Sequence, residues 1–201
     1  MKAIFLDRDG VINPLVYDAE HGLIDSPLNP SQFELIPEAI EGLRLINDAA
    51  IPAFLISNQP GIAKGKMSNS LFRDIDAKMT EGLRRAGCRL DGIYYCLHHP
   101  QAVLDNYRID CDCRKPNPGL LLKAAAEHRI DLKKSFMIGD GLNDIEAGKR
   151  LGCRTILIGG ERCDRCQKIG DSDLGPDFIA VDLNEAAKLV IKEESYGNFY
   201  R

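Results

Sequence analysis

Short, uniformly apolar runs alternate along this chain with longer segments in which apolar residues recur at helical spacing. Ala3–Leu6, Ala53–Ile56, Gly92–Tyr95, Ser135–Ile138 and Arg154–Ile158 read as buried strands. Between them, a helix is expected from Pro37, with Ile40, Leu43 and Ile46 on one face. A second runs from Ser68, a suitable N-cap, to about Ala86, with Leu71, Ile75, Met79 and Leu83 in register. Pro118–Arg129, Asp144–Leu151 (closed by Gly152) and Glu185–Lys192 complete the set. Strands alternating with helices predict an α/β fold, a parallel sheet covered on both faces. Asn13 to Pro37 follows neither period and carries Pro14, Pro27, Pro30 and Pro37, so it reads as a long irregular loop. With 201 residues, the expectation is one domain, 1–201, with at most a modest insertion.

Open parallel sheets bind ligands beyond the carboxyl ends of their strands. Asp7-Arg8-Asp9-Gly10 follows the first strand, Ser57-Asn58-Gln59-Pro60-Gly61 the second and Gly139-Asp140-Gly141 the fourth. Arg114-Lys115, in the loop before the Pro118 helix, can reach the same rim. Alone, each cluster is an ordinary turn, a helix cap or a solvated charge pair. Together they supply every group needed to cleave a phosphate monoester. Asp7 would attack phosphorus, and Asp9 would protonate the leaving oxygen and later deprotonate water. Ser57, Asn58 and Gln59 would bind phosphate or substrate, and Lys115 would hold a fixed positive charge there. Asp140 would anchor Mg²⁺, with Asp144 supporting it from one helical turn further on.

The seven cysteines are odd in number and clustered, which favours metal over a disulfide framework. Cys96-Leu97-His98 and Cys111-Asp112-Cys113 offer two i, i+2 pairs, each able to bite one ion. The resulting Cys₃His set suits a closed, structural Zn²⁺ that would order the loop of about 96–113. His99 competes with His98, but its parity relative to Cys96 is wrong. Reduced core thiols are the plainer alternative. Cys163 and Cys166 could be a redox pair, a second half-site or surface thiols; surface thiols are the favoured reading. Cys88 and Cys153 read as packing residues.

A net charge of -4 and a pI near 5.6 exclude a broad basic face for nucleic acid. Met1-Lys2 leads straight into a strand, and no apolar run approaches the ~18 residues that span a bilayer. A cytoplasmic protein is expected, a monomer acting on a small molecule without a membrane partner.

Phe5-Leu-Asp-Arg-Asp-Gly-Val-Ile-Asn13, Ser57-Asn-Gln-Pro-Gly-Ile-Ala-Lys-Gly65, Cys111-Asp-Cys-Arg-Lys-Pro116 and Ile138-Gly-Asp140 resemble the four motifs of the haloacid dehalogenase (HAD) superfamily. The match is closest to its D-glycero-D-manno-heptose 1,7-bisphosphate 7-phosphatase branch, related to histidinol-phosphate phosphatases, and runs to about Ile158. The resemblance implies a Rossmann-like, doubly wound domain with a minimal cap, for which residues 13–37 are the candidate. It also implies an aspartyl-phosphate intermediate, Mg²⁺ and structural zinc. In that pattern Asp7 and Asp140 bind magnesium by their side chains and Asp9 by its main-chain carbonyl. Two departures bear on substrate: Gly141 stands where the pattern usually has Lys, and the early loop is longer. Arg114 and Lys64 then become the readers of the substrate's far end. Removal of the 7-phosphate from the heptose bisphosphate is the leading expectation. Histidinol phosphate, with Asp18 and Glu20 available to its amine, or another small sugar phosphate is the alternative. A catalytically inactive, zinc-stabilised binding module and a phosphomutase also remain, the latter disfavoured by the short, proline-rich loop.

Overall fold

The computed structural model describes residues 1–18, 22–159 and 175–197. Its strands are β1 (Ile4–Leu6), β2 (Val16–Asp18), β3 (Leu23–Asp25), β4 (Ala53–Asn58), β5 (Gly92–Cys96), β6 (Phe136–Gly139), β7 (Arg154–Ile158) and β8 (Phe178–Ala180). The helices are α1 (Pro37–Asp48), α2 (Asn69–Arg85), α3 (Gly119–His128), α4 (Leu142–Arg150) and α5 (Leu183–Gly197). Six strands form one parallel sheet in the order β5-β4-β1-β6-β7-β8. This is the doubly wound architecture expected, and it puts β1 between β4 and β6. Phe5 lies beside Phe54 on one flank and Met137 on the other. Parallel pairing aligns the carboxyl ends, so the loops after β1, β4 and β6 open onto one rim.

The strand period of two divides the core between the sheet's faces. Ile4, Leu6, Leu55 and Ile138 pack with Leu43 and Ile46 of α1, Ile75 and Met79 of α2, and Ala187 and Val190 of α5. Phe5, Phe54, Ile56 and Met137 face the other way, against Leu121 and Ala124 of α3 and Ala147 of α4. Phe5 and Phe54 are wholly buried with ring centroids 6.0 Å apart. Burial of a side chain of that size contributes about 1.5–3 kcal/mol. Beneath the first face, α1 and α5 meet at Gly42, where a Cβ would lie 2.5 Å from the Leu183 carbonyl oxygen. Ser68 caps α2 as expected, accepting a hydrogen bond from Leu71 N at 3.2 Å.

Several boundaries move. β4 is two residues longer than its apolar run, so Ser57 and Asn58 are its last residues rather than the start of a loop. α4 begins at Leu142, because the Asp144 carboxylate accepts from Gly141 N at 3.0 Å and closes its first turn. The early loop is not irregular throughout. β2 and β3 pair as an antiparallel hairpin, with Val16 opposite Asp25 and Tyr17 opposite Ile24. Asn29 Oδ1 then caps a short 3₁₀ turn at Pro30–Gln32. Strand β8 was not foreseen either. Cys88 and Cys153 are buried, as packing residues should be. Cys163, Cys166 and Glu20 lie outside the described residues. Among the described residues, no helix is long and apolar enough to cross a membrane.

Candidate active site

The residue after β1 is still held by the sheet, since Asp7 N donates to Ile138 O at 3.0 Å. Its carboxylate meets a buried lysine arriving from the loop before α3. Lys115 Nζ lies 3.0 Å from Asp7 Oδ1 and 2.5 Å from Asp144 Oδ1, and donates to Ile56 O at 2.6 Å. Asp140 follows β6, and one carboxylate oxygen from each of Asp7, Asp140 and Asp144 falls within 4.8 Å of the others. Gly10 makes this crowding possible. Its φ is +78°, and a Cβ there would sit 2.4 Å from Asp140 Oδ2.

Burial pushes the Asp7 carboxyl up to about 6; Lys115 opposes the shift, and Asp144 and Asp9 add to it. Asp144 is raised for the same first reason, again against Lys115. Burial disfavours the charged form of Lys115, yet Asp144 and Asp7 outweigh it and hold its pKa above the ordinary value. Asp7 and Asp144 share the Lys115 ammonium and Asp140 lies beside them, a gathering of carboxylate oxygens that suits a hard divalent cation such as Mg²⁺. Both Asp144 oxygens already have protein partners, Lys115 and Gly141 N.

Asp9 lies outside that cluster, in a cage of donors. Arg8 reaches Oδ1 through Nε at 3.2 Å and Nη2 at 3.1 Å, and Asn13 Nδ2 donates to the same oxygen at 2.9 Å. Oδ2 accepts from Gln59 Nε2 at 2.5 Å, Ser26 Oγ at 2.9 Å and Arg8 Nη2 at 3.3 Å. Arg8 Nη2 also donates to Gln59 Oε1 at 2.8 Å, so Arg8, Asp9 and Gln59 close a ring. Arg8 is wholly buried. With its carboxylate so engaged, Asp9 would serve a cation through its main chain.

Of the other residues singled out, Ser57 is buried, its Oγ accepting from Gln59 Nε2 at 3.1 Å. The Asn58 amide is bound to the Lys115 main chain. Gln59 is buried in the Asp9 cage rather than at an open substrate surface. Lys64 is exposed on the loop after β4. Burial, then the charges of Arg114 and Lys64, hold His99 below its ordinary pKa, so Arg114 and Lys64 are the cations of this rim and His99 is its uncharged imidazole. Arg114 Nη1 donates to His98 O at 3.3 Å. Arg8 and Ser26 went unread as site residues, because neither residue type signals burial or contact with Asp9. The one available hint was Arg8's place between two aspartates.

Beside this rim the four residues of the Cys/His set converge. Cys113 Sγ lies 3.2 Å from both Cys96 Sγ and Cys111 Sγ, and 3.4 Å from His98 Nδ1; Cys96 and Cys111 are 3.6 Å apart. A tetrahedral ion with bonds of about 2.3 Å to sulfur needs ligand separations of about 3.8 Å, so a small expansion seats zinc. Burial, then the neighbouring sulfurs, push the Cys113 thiol up, the repulsion a bound cation would relieve. His99 is directed elsewhere, its Nδ1 accepting from Gln101 N at 3.1 Å.

A central parallel strand ending in a carboxylate, flanked by strands that bring a lysine-bound cluster to the same rim, is the arrangement of HAD-like hydrolases. Residues 112–186 match the HAD-hydrolase-like family. The chain is 41% identical over 158 residues to the D-glycero-beta-D-manno-heptose-1,7-bisphosphate 7-phosphatase of Escherichia coli K12, covering 79% of this chain and 78% of that protein. The Yersinia pestis protein of the same name is 38% identical over 192 residues, covering 94% and 95%. The D,D-heptose 1,7-bisphosphate phosphatase of B. bronchiseptica, solved with magnesium and phosphate, superposes with a TM-score of 0.78 at 28% identity, covering 96% of this chain and 99% of that one. The chain belongs to this phosphatase family of the HAD-like hydrolases.

Proposed function

We propose that this protein removes the 7-phosphate of D-glycero-β-D-manno-heptose 1,7-bisphosphate by way of an aspartyl-phosphate on Asp7. The observation that carries the reading is the cluster of Asp7, Asp140 and Asp144, with Lys115 bridging Asp7 and Asp144, in a chain similar along most of its length to phosphatases of that name. Asp7, as carboxylate, attacks phosphorus while Lys115 keeps it oriented and offsets the negative charge of the phosphoryl oxygens. Ser57 and the main chain beside it bind those oxygens. Asp9 gives a proton to the departing sugar oxygen and later takes one from the water that cleaves the acyl-phosphate. Asp7, Asp140 and the Asp9 main chain would hold Mg²⁺, which would supply charge neutralisation at the phosphoryl group. Cys96, His98, Cys111 and Cys113 would hold zinc, which would fix the loop that presents Arg114 and Lys115.

Lys64 and Arg114 favour a substrate with a second anionic group over histidinol phosphate, whose far end is cationic. We take the enzyme to be a cytoplasmic monomer whose only partner is this small molecule. The test is kcat/KM for the heptose bisphosphate, other sugar phosphates and histidinol phosphate, with Asp7→Asn alongside. Preference for the bisphosphate, abolished in the variant, is expected. Preference for histidinol phosphate overturns the substrate, and equal inertness of both proteins toward every ester overturns the activity.

A further inference from the structure

Three of the four residues that hold the Asp9 carboxylate are fixed in the interior: Arg8, Asn13 and Gln59 are at most 1% exposed. The fourth, Ser26, is only partly buried and comes from the segment just after the β2–β3 hairpin. Its place is set from two directions. Ser26 N donates to Asp25 Oδ1 at 2.8 Å, and Asp25 pairs through its other oxygen with Lys66, on the loop after β4. Ser26 Oγ is thereby delivered to Asp9 Oδ2.

The chemistry of the four partners differs in one respect. Arg8 offers only N–H donors, and Asn13 and Gln59 approach through their amide nitrogens, so all three suit Asp9 only as an acceptor. A hydroxyl both donates and accepts. By turning its hydrogen, Ser26 can donate to an ionised carboxylate oxygen and accept from the same oxygen when it carries a proton.

We propose that Ser26 is a positioning residue for Asp9, holding its proton-bearing oxygen in one orientation through both halves of the reaction. The proposal rests on the reading of Asp9 as acid and base. As the ester P–O bond breaks, its electron pair passes to the sugar oxygen, which takes the Asp9 proton. Asp9, now a carboxylate, accepts from Ser26. When water attacks the acyl-phosphate, Asp9 recovers a proton from it, and the Ser26 hydroxyl reverses its role. The segment that leaves the hairpin thus acts on proton transfer.

Ser26→Ala, Ser26→Thr and Asp9→Asn would be assayed with the heptose 1,7-bisphosphate and with p-nitrophenyl phosphate, whose leaving group departs without a proton. The quantity read is kcat/KM, which reports on steps through P–O cleavage. For Ser26→Ala the ratio of sugar-phosphate to aryl-phosphate kcat/KM should fall by about tenfold or more, and Ser26→Thr should restore it. An unchanged ratio in Ser26→Ala, beside a reduced one in Asp9→Asn, overturns this proposal alone. An unchanged ratio in Asp9→Asn, or no turnover of the bisphosphate by the parent protein, overturns the underlying reading and this proposal with it.

Discussion

Asn58 and Lys115 grip each other through a closed pair of hydrogen bonds, Asn58 Nδ2 to Lys115 O and Lys115 N to Asn58 Oδ1, both 3.0 Å long. Two residues earlier on β4, Ile56 O accepts from the Lys115 ammonium. One strand therefore holds both ends of the lysine, main chain and side chain, although 57 positions separate it from Asn58. The loop that carries Lys115 leaves directly from Cys113, so the chain ties the thiol cluster to the site within two residues. Asn58→Ala should lower stability by about 1–2 kcal/mol through the two lost bonds, and turnover should fall as Lys115 loses its placement. Urea unfolding with steady-state kinetics checks both; turnover unaffected by the substitution would detach Asn58 from the site.

Lys115→Met tests the buried cation itself. Asp7 and Asp144 would be left facing each other without compensation, at a cost of about 3–5 kcal/mol near neutral pH in metal-free protein. The deficit should narrow as pH falls, because the folded state can then protonate the two acids, and it should narrow again with added Mg²⁺. Denaturation curves at several pH values, with and without the ion, measure it. A deficit that ignores both variables contradicts the charge assignment.

Asp7→Asn should abolish turnover and yet stabilise the metal-free fold. The Asp7 pKa is about 6 in the folded protein against 3.8 ordinarily, so folding binds a proton here. That contribution is complete below about pH 4 and is lost as pH rises through 6. Relative to the parent, the variant should gain about 3 kcal/mol across that interval, at about 1.4 kcal/mol per pKa unit, and hold the advantage above it. Mg²⁺ should reverse the order. A pH series of unfolding free energies on stripped protein decides the sign.

Zinc withdrawal is predicted to act at a distance. Chelation or Cys113→Ser should raise amide exchange across residues 96–113 and slow turnover through displacement of Arg114 and Lys115. Metal analysis must accompany both measurements. Undiminished stability and turnover in demonstrably zinc-free protein would refute a structural ion.

Legibility in the sequence followed local redundancy. Ile4–Leu6, Leu55 and Ile138 are buried on both faces of a parallel sheet and so declare themselves as unbroken apolar runs, and α2 shows its cap and stripe plainly. The β2–β3 hairpin has three residues per strand, two of them exposed apolar side chains, Tyr17 and Ile24, and nothing alternates long enough to register. Its position comes from contacts such as Ser26 with Asp9, which no local period records. The same holds for Arg8 and Gln59. Both are residue types that normally face water, and what buries them is mutual pairing across 51 positions. His98 could be preferred to His99 from parity alone, because an extended segment gives the two imidazoles opposite directions.

Gly10 has a practical consequence for anyone wishing to alter what this enzyme accepts. Its left-handed backbone and the Asp140 oxygen occupying the volume of a Cβ leave no replacement residue there. A mutant library that randomised the Asp7–Asn13 loop would spend nearly all its members on unfoldable or metal-deprived proteins. Diversity placed at Lys64, His99 and Arg114 would alter the rim instead, leaving Asp7, Asp9 and Lys115 untouched.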